Sequence, residues 1–235
     1  MLVALLAMPA AAGAAAQPMV VGTSAPEITA PSRSGSYVAR LVAPTAIRSA
    51  PGSGTILMRI NPATAPATLL ALGETTVNGR RYIKVHMSRR GRDNGWLPAS
   101  NVLVGREFWW VELVRNTRRL TLYSHGKRVL SVRVVVGAPA TPTPLGLFAV
   151  HHITRNDSSS VLGPYTIQLT AFSDVLHEFA GGPGRIAMHG MRGALVAPAG
   201  SAVSHGCIRI RNQKLKKIAA RVRAGTPMYI RVQRS

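Results

Sequence analysis

Ser204-His205-Gly206-Cys207-Ile208-Arg209 contains the only cysteine of a 235-residue chain. Upstream of it, His189 precedes Ser204 with fourteen residues between them. A lone thiol with imidazoles nearby is the usual sequence trace of a cysteine nucleophile and a histidine base that meet in the fold while lying apart in the chain. The thiol is the more telling because the chain reads as exported. Cysteines in an oxidising compartment normally pair as disulfides, and a single one is either buried and inert or kept free for its reactivity.

The reading of export comes from the first sixteen residues. Met1-Leu2-Val3-Ala4-Leu5-Leu6-Ala7-Met8 is apolar, and the Ala-rich run ends Ala14-Ala15-Ala16-Gln17. An apolar stretch closed by small residues resembles a secretory signal with cleavage after Ala16. The basic start that such signals carry is missing, so the native start is expected upstream. The stretch falls short of the ~20 apolar residues of a membrane span, and no other stretch is long and apolar enough. An exported, extracytoplasmic location follows, in a cell wall or periplasm-like space.

Composition narrows the partners. Lys and Arg total 29 against 8 Asp and Glu, a net charge of +21. Such a field attracts polyanions. The basic residues are scattered and not interleaved with aromatics as in a nucleic-acid platform, so anionic cell-wall polymers are the better candidate and nucleic acid is set aside. A solvated, soluble surface accounts for many of these charges. The 22 glycines and 16 prolines, with short runs of Val, Ile and Thr, favour many short strands over long helices.

Residues 17–37 are rich in Pro, Ser, Thr, Ala and Gly without an apolar period, the pattern of a flexible linker. From 38 to 104, short apolar runs alternate with turn signals. Asn78-Gly79 between Thr75-Thr76-Val77 and Tyr82-Ile83-Lys84-Val85 predicts a two-residue hairpin. From 107 to 235 a second unit begins. Strands are predicted over Trp109 to Val114, Arg119 to Tyr123, Val129 to Val136, Leu147 to Ile153, Tyr165 to Thr170 and Met228 to Val232. A helix is expected over Gln213 to Val222, with Asn212 as N-cap and Gly225 and Pro227 as the stop. Gly137 to Gly146 is a Pro-rich loop with no capacity for a ladder. Residues 154–164 and 173–185 are polar loops long enough to serve as lids or binding loops.

The chemistry of the motif can be worked out from its residue types. An adjacent imidazole lowers a thiol's pKa from ~8.5 and so favours the nucleophilic thiolate. Gly206 leaves neighbouring backbone N–H groups open, so those of Gly206 and Cys207 are candidates for an oxyanion hole. His189, after Ile186-Ala187-Met188, falls at a strand end facing a cleft. There it can take the thiol proton and return it to a leaving amine.

His189-Gly190 followed by Ser204-His205-Gly206-Cys207-Ile208-Arg209 resembles the signature of the L,D-transpeptidase (YkuD-like) catalytic domain. Arg119-Leu120-Thr121-Leu122-Tyr123 with Gly126-Lys127 is similar to the family's opening hairpin. Gly137 with Thr141-Pro142-Thr143-Pro144-Leu145-Gly146-Leu147-Phe148 is similar to its Pro-rich loop. The resemblance spans about residues 109–232. It implies a β-sandwich-like domain with short helices, no cofactor and no metal. Peptidoglycan stem peptides are the implied substrates. Cys207 would attack the carbonyl before the terminal D-Ala of a stem tetrapeptide, release D-Ala, and pass the acyl group to an acceptor amine as a 3→3 cross-link. His189 would be base and acid, with the Gly190 carbonyl orienting its ring and His205 shaping the site. Ser204, Arg209 and Tyr165 would contact substrate, and carbapenems would acylate Cys207. Where the family often places an Asp at the helix start, this chain has Asn212-Gln213-Lys214, which is less favourable at a helix N-terminus.

Ile47-Arg48-Ser49-Ala50-Pro51 and Gly95-Trp96-Leu97-Pro98-Ala99-Ser100-Asn101-Val102 resemble the opening and closing of a bacterial SH3-like barrel. Such a module binds cell-wall peptide, or it simply packs against its neighbour. The whole chain is therefore expected to be mainly β, a small barrel followed by the sandwich-like domain. Two other functions stay open: an L,D-carboxypeptidase that gives the same acyl-enzyme to water, and a wall-binding protein with a degenerate site. His151-His152 with His205 and Cys207 is poorly spaced for zinc. His86, His125 and His177 read as surface residues, and Trp96, Trp109 and Trp110 as packing.

Overall fold

The computed structural model describes residues 26–91 and 93–233. The signal-like segment 1–16 and the first part of the linker expectation lie outside the described residues.

The first unit contains β1 (Ser36–Leu41), β2 (Thr45–Arg48), β3 (Ile56–Ile60), β4 (Thr68–Val77), β5 (Arg80–His86), β6 (Asn94–Pro98) and β7 (Val102–Glu107). They form one antiparallel sheet in the order β3-β2-β6-β5-β4-β1-β7. Val77 pairs with Arg80 across Asn78-Gly79. Both turn residues have positive φ, 48° and 72°, as the tight turn matching strand twist requires. Ile47, Leu70, Ile83 and Leu97 are fully buried, and most of this apolar interior forms one cluster separate from that of the second unit.

The second unit runs through β8 (Trp109–Val114), β9 (Arg119–Ser124), β10 (Lys127–Arg133), β11 (Val136–Gly137), β12 (Gly146–Arg155), β13 (Tyr165–Phe172), β14 (Arg185–His189), β15 (Ala202–Ser204), β16 (Ile208–Arg209), α1 (Asn212–Ala219) and β17 (Pro227–Arg231). Eight strands make a sheet in the order β10-β9-β8-β17-β12-β13-β14-β16, and β11 pairs with β15. Leu113, Leu122, Ile167, Leu169 and Met188 lie in its core. Truncating any of them to alanine costs about 2–5 kcal/mol. Among the described residues the architecture is mainly β with one short α-helix, as composition and turn spacing implied.

Four sequence expectations are corrected here. The linker reading fails from residue 26 onward. Ile28 is buried and its N–H donates to Glu74 Oε2 at 3.3 Å. Arg33 donates through Nε and Nη2 to both oxygens of the buried Glu112, each at 2.7 Å. One isoleucine and one bidentate arginine anchor a segment with no apolar period.

The Pro-rich loop also has more ladder capacity than expected, because Val136 and Gly137 pair in parallel with Ala202 and Ser204. The helix is shorter than expected and lacks its predicted cap. Arg211 occupies the N-cap without a side-chain bond, and buried Leu215 and Ile218, three apart, hold α1 down. His86, expected at the surface, is only 2% exposed and meets the edge of Phe148 at 6.2 Å. Burial pushes its pKa down, partly opposed by Asp93.

The two units are joined through a buried acid. Glu107, the last residue of β7, is fully buried. It accepts from the Trp109 N–H at 2.9 Å, Thr226 Oγ1 at 3.0 Å and Arg223 Nε at 2.9 Å. A buried carboxylate persists only when its oxygens are satisfied in this way.

Candidate active site

The parallel pairing of β14 with β16 brings the two halves of the motif together. Met188 lies opposite Ile208 and His189 opposite Arg209. Met188 and Ile208 are fully buried in the core, so strand alternation turns His189 and Arg209 to the opposite face. Cys207, partly exposed, immediately precedes β16.

His189 is buried, and its Nδ1 lies 2.7 Å from the Gly190 carbonyl oxygen. A carbonyl can only accept, so Nδ1 carries the proton and Nε2 is left with its lone pair. Burial lowers the pKa of His189. The Gly190 bond works in the other direction, and the Arg209 charge adds to the lowering. The Cys207 thiol is pushed up by burial. A backbone hydrogen bond from Ala187 and the Arg209 charge both favour the thiolate but do not overcome it. Both shifts favour the uncharged form of each group.

The motif loop is held by a strap whose role the sequence did not reveal. Thr143 is fully buried. Its hydroxyl donates to the Gly206 carbonyl at 2.8 Å and accepts from the Gly137 N–H at 3.0 Å. Thr141 Oγ1 and the Ala138 N–H both donate to the Ser204 carbonyl, at 3.1 and 2.8 Å. The two threonines of Thr141-Pro142-Thr143 thus fasten the backbone around the thiol. Gly206 has φ +111°, and a Cβ there would come within 2.9 Å of Ile186 Cδ1. The positive φ demands glycine, whereas the Ile186 contact is with the movable end of a side chain.

Two of the expected site roles are changed by this geometry. Ser204 is buried and its hydroxyl is engaged within the loop. It donates to the Cys207 carbonyl at 2.6 Å and accepts from the Gly206 N–H at 3.2 Å. Ser204 therefore braces the loop and has no free hydroxyl for substrate. The Gly206 N–H, expected in the oxyanion hole, is already taken by that hydroxyl. The Cys207 N–H has no hydrogen-bond partner among the described residues.

The remaining predicted residues spread around this centre. His205 is exposed and stacks on Phe179, with centroids 4.8 Å apart and planes at 30°. Arg209 donates through Nη1 to the Leu195 carbonyl at 3.2 Å, while its buried Nε has no partner among the described residues. Tyr165 begins β13, whose Thr166 pairs with His189. With Arg155, Asn156, Arg192, Asn212 and Lys216 it lines a cavity of about 460 Å³. Asn212 grips the turn after His189. Its Oδ1 accepts from the Met191 N–H at 2.9 Å and its Nδ2 donates to the Met191 carbonyl at 3.1 Å. That engagement explains why Asn212 does not cap the helix.

A sequence profile of the YkuD family, the L,D-transpeptidase catalytic domain, matches residues 109–230. The chain belongs to this family. As a YkuD-family L,D-transpeptidase domain it carries the resemblance drawn from His189 and the Cys207 motif, and the chain is an enzyme of that family. Among solved structures, the catalytic domain of an L,D-transpeptidase from E. faecium is 21% identical with a TM-score of 0.39, covering 52% of this chain and 95% of that one. An L,D-transpeptidase from Mycobacterium smegmatis is 13% identical with a TM-score of 0.45, covering 83% of this chain and 99% of that one. A search of curated proteins gives no significant match.

Proposed function

We propose that the protein is a peptidoglycan L,D-transpeptidase in which Cys207 is the nucleophile and His189 its base. The observation that carries this is the Nδ1 hydrogen bond to the Gly190 carbonyl, which leaves Nε2 of a neutral ring as the basic atom. A neutral pair favours a proton transfer concerted with attack over a preformed ion pair. The thiol proton passes to Nε2 as sulfur adds to the donor carbonyl carbon, before the terminal D-Ala. The Cys207 N–H is the free donor for the developing oxyanion. Collapse breaks the C–N bond, and the imidazolium returns its proton to the departing D-Ala amine, leaving a thioester. An acceptor amine then attacks the thioester, His189 takes its proton, and the thiol is regenerated with a 3→3 cross-link formed. His205 borders this centre, and Arg209 and Tyr165 are proposed to contact the stem peptide. Residues 38–104 are proposed as the SH3-like module and residues 107–235 as the catalytic domain. Anionic wall polymers fit the +21 charge, and an extracytoplasmic location fits the family.

Intact mass after mixing with disaccharide-tetrapeptide, with Cys207→Ala in parallel, tests the reading. The expected result is a thioester adduct in the parent alone, followed by a cross-linked dimer. An adduct that yields only tripeptide makes the protein a carboxypeptidase. The absence of an adduct in either protein refutes the nucleophile assignment.

A further inference from the structure

The segment between β13 and β14, residues 173–184, is fastened at its base and at its tip by groups outside itself. On one side is Arg90, from the turn between β5 and β6 of the first unit. Its guanidinium donates to the carbonyls of Ser173, Leu176 (3.3 Å) and Pro183 (2.9 Å). It also lies over the Phe172 ring at 5.3 Å, and Arg185 lies over that same ring at 4.6 Å. Arg185 in turn reaches Ser88 Oγ of the first unit and the Leu169 carbonyl. Only a guanidinium offers several N–H donors in a fixed fork able to serve three carbonyls at once.

At the far end is Phe179. The Phe179 N–H donates to the Gly182 carbonyl at 2.9 Å and the Gly182 N–H to the Phe179 carbonyl at 3.0 Å. Ala180 and Gly181 between them take φ of +50° and +74°. This tight tip presents the half-exposed Phe179 ring to His205, two residues before Cys207. Within the loop, Val175, His177, Glu178 and Phe179 are exposed, so little apolar burial holds it in place.

We propose that Arg90 is a positioning residue for the acyl-transfer site. Through the 173–184 loop, the first unit sets where Phe179 lies against His205 and so how the mouth around Cys207 is shaped. The first unit is thereby part of the enzyme's machinery, whatever else it binds. The consequence for turnover rests on Cys207 being the nucleophile, whereas the mechanical link does not.

The test compares Arg90→Ala, Arg90→Lys, Phe179→Ala and the Arg90→Ala/Phe179→Ala pair in the full chain. Two readouts need no turnover: chymotryptic cleavage after Leu176 or Phe179, and iodoacetamide alkylation of Cys207 at fixed pH. Arg90→Ala is expected to raise cleavage in the loop at least about tenfold, since each lost hydrogen bond weakens the loop's hold by a factor of several. Arg90→Lys restores only part of the protection. Both single alanine variants should alkylate several-fold faster, and the double variant no faster than Phe179→Ala alone, because Arg90 acts through the loop. With the tetrapeptide substrate, KM should rise more than kcat falls in both single variants. Unchanged cleavage and alkylation in Arg90→Ala and Arg90→Lys overturn the inference, as does full additivity in the double variant. If the parent forms no thioester, the nucleophile assignment fails while the cleavage and alkylation results still decide the link.

Discussion

Replacing Thr143 by valine exchanges a hydroxyl for a methyl group of nearly the same shape. The hydroxyl is fully buried and bonded to the Gly206 carbonyl and the Gly137 N–H. Valine leaves both backbone groups unpaired, and each buried orphan costs about 1–3 kcal/mol. The added methyl offsets about 0.8 kcal/mol, so the net loss is on the order of 1–5 kcal/mol. For a chain of this size, at about 2–4 °C per kcal/mol, that corresponds to a fall in Tm of roughly 2–20 °C. Activity should fall as well. The Gly206 peptide loses its anchor, and the Cys207 N–H, next in the chain, drifts from the oxyanion position. Removing an oxyanion donor outright costs about 10²–10³ in kcat, so displacing one is expected to cost roughly 10–100-fold in acylation rate. Thr143→Ser keeps both bonds and should stay within about 1 kcal/mol of the parent. Urea unfolding and time-resolved intact mass measure the two effects. A Thr143→Val protein within about 0.5 kcal/mol of the parent, acylating at the parent rate, refutes the view that this hydroxyl holds the motif.

Other substitutions and conditions probe the remaining geometry. Alkylation of Cys207 should keep accelerating beyond the ordinary thiol range near ~8.5, because burial raises its pKa. Arg209→Met should push that profile further alkaline, since the lost charge favours the thiolate; an unshifted profile would show that Arg209 does not act on the sulfur. Gly190→Ala places a Cβ against Asn212 Oδ1 and 2.9 Å from Gly163 Cα, so the His189 turn must move. A fall in acylation of at least about tenfold is expected, by the misplacement of a catalytic group. His86 and His151 are both held below their ordinary pKa by burial, His151 to about 4. As pH drops below ~6.5, the unfolded chain binds protons that the folded chain refuses. Stability should therefore be full above ~6.5 and decline from there toward 4, and His151→Gln should flatten part of that slope in urea titrations.

Much of this was visible in the residues because it was local. The β8 strand over Trp109–Val114 follows from its apolar run, and the Asn78-Gly79 turn follows from the steric freedom of its residues. The pairing of His189 with the Cys207 motif was carried by motif spacing. What escaped the sequence depends on partners distant along the chain. Nothing near Thr143 announces that its hydroxyl is bonded to Gly206, and a serine beside a proposed nucleophile reads as a substrate contact until its bonds to Cys207 and Gly206 are seen. Arg33 and Arg90 were two among 29 basic residues, and only long-range geometry distinguishes them from solvated charge. Asn212 satisfies every local rule for a helix cap, but a tertiary partner, Met191, competes for its amide and wins.

The placement of β17 has a consequence for how the enzyme comes into being. Residues 227–231 lie between β8, which they join in parallel, and β12, which they join antiparallel. Without them the large sheet is two disconnected halves, β10-β9-β8 on one side and β12-β13-β14-β16 on the other. A chain emerging N-terminus first from a ribosome cannot close this sheet until residues 227–231 are free. Until then the Cys207 thiol sits on an unassembled scaffold. The order of emergence thus acts as a timer, withholding the closed sheet until residues 227–231 have been delivered.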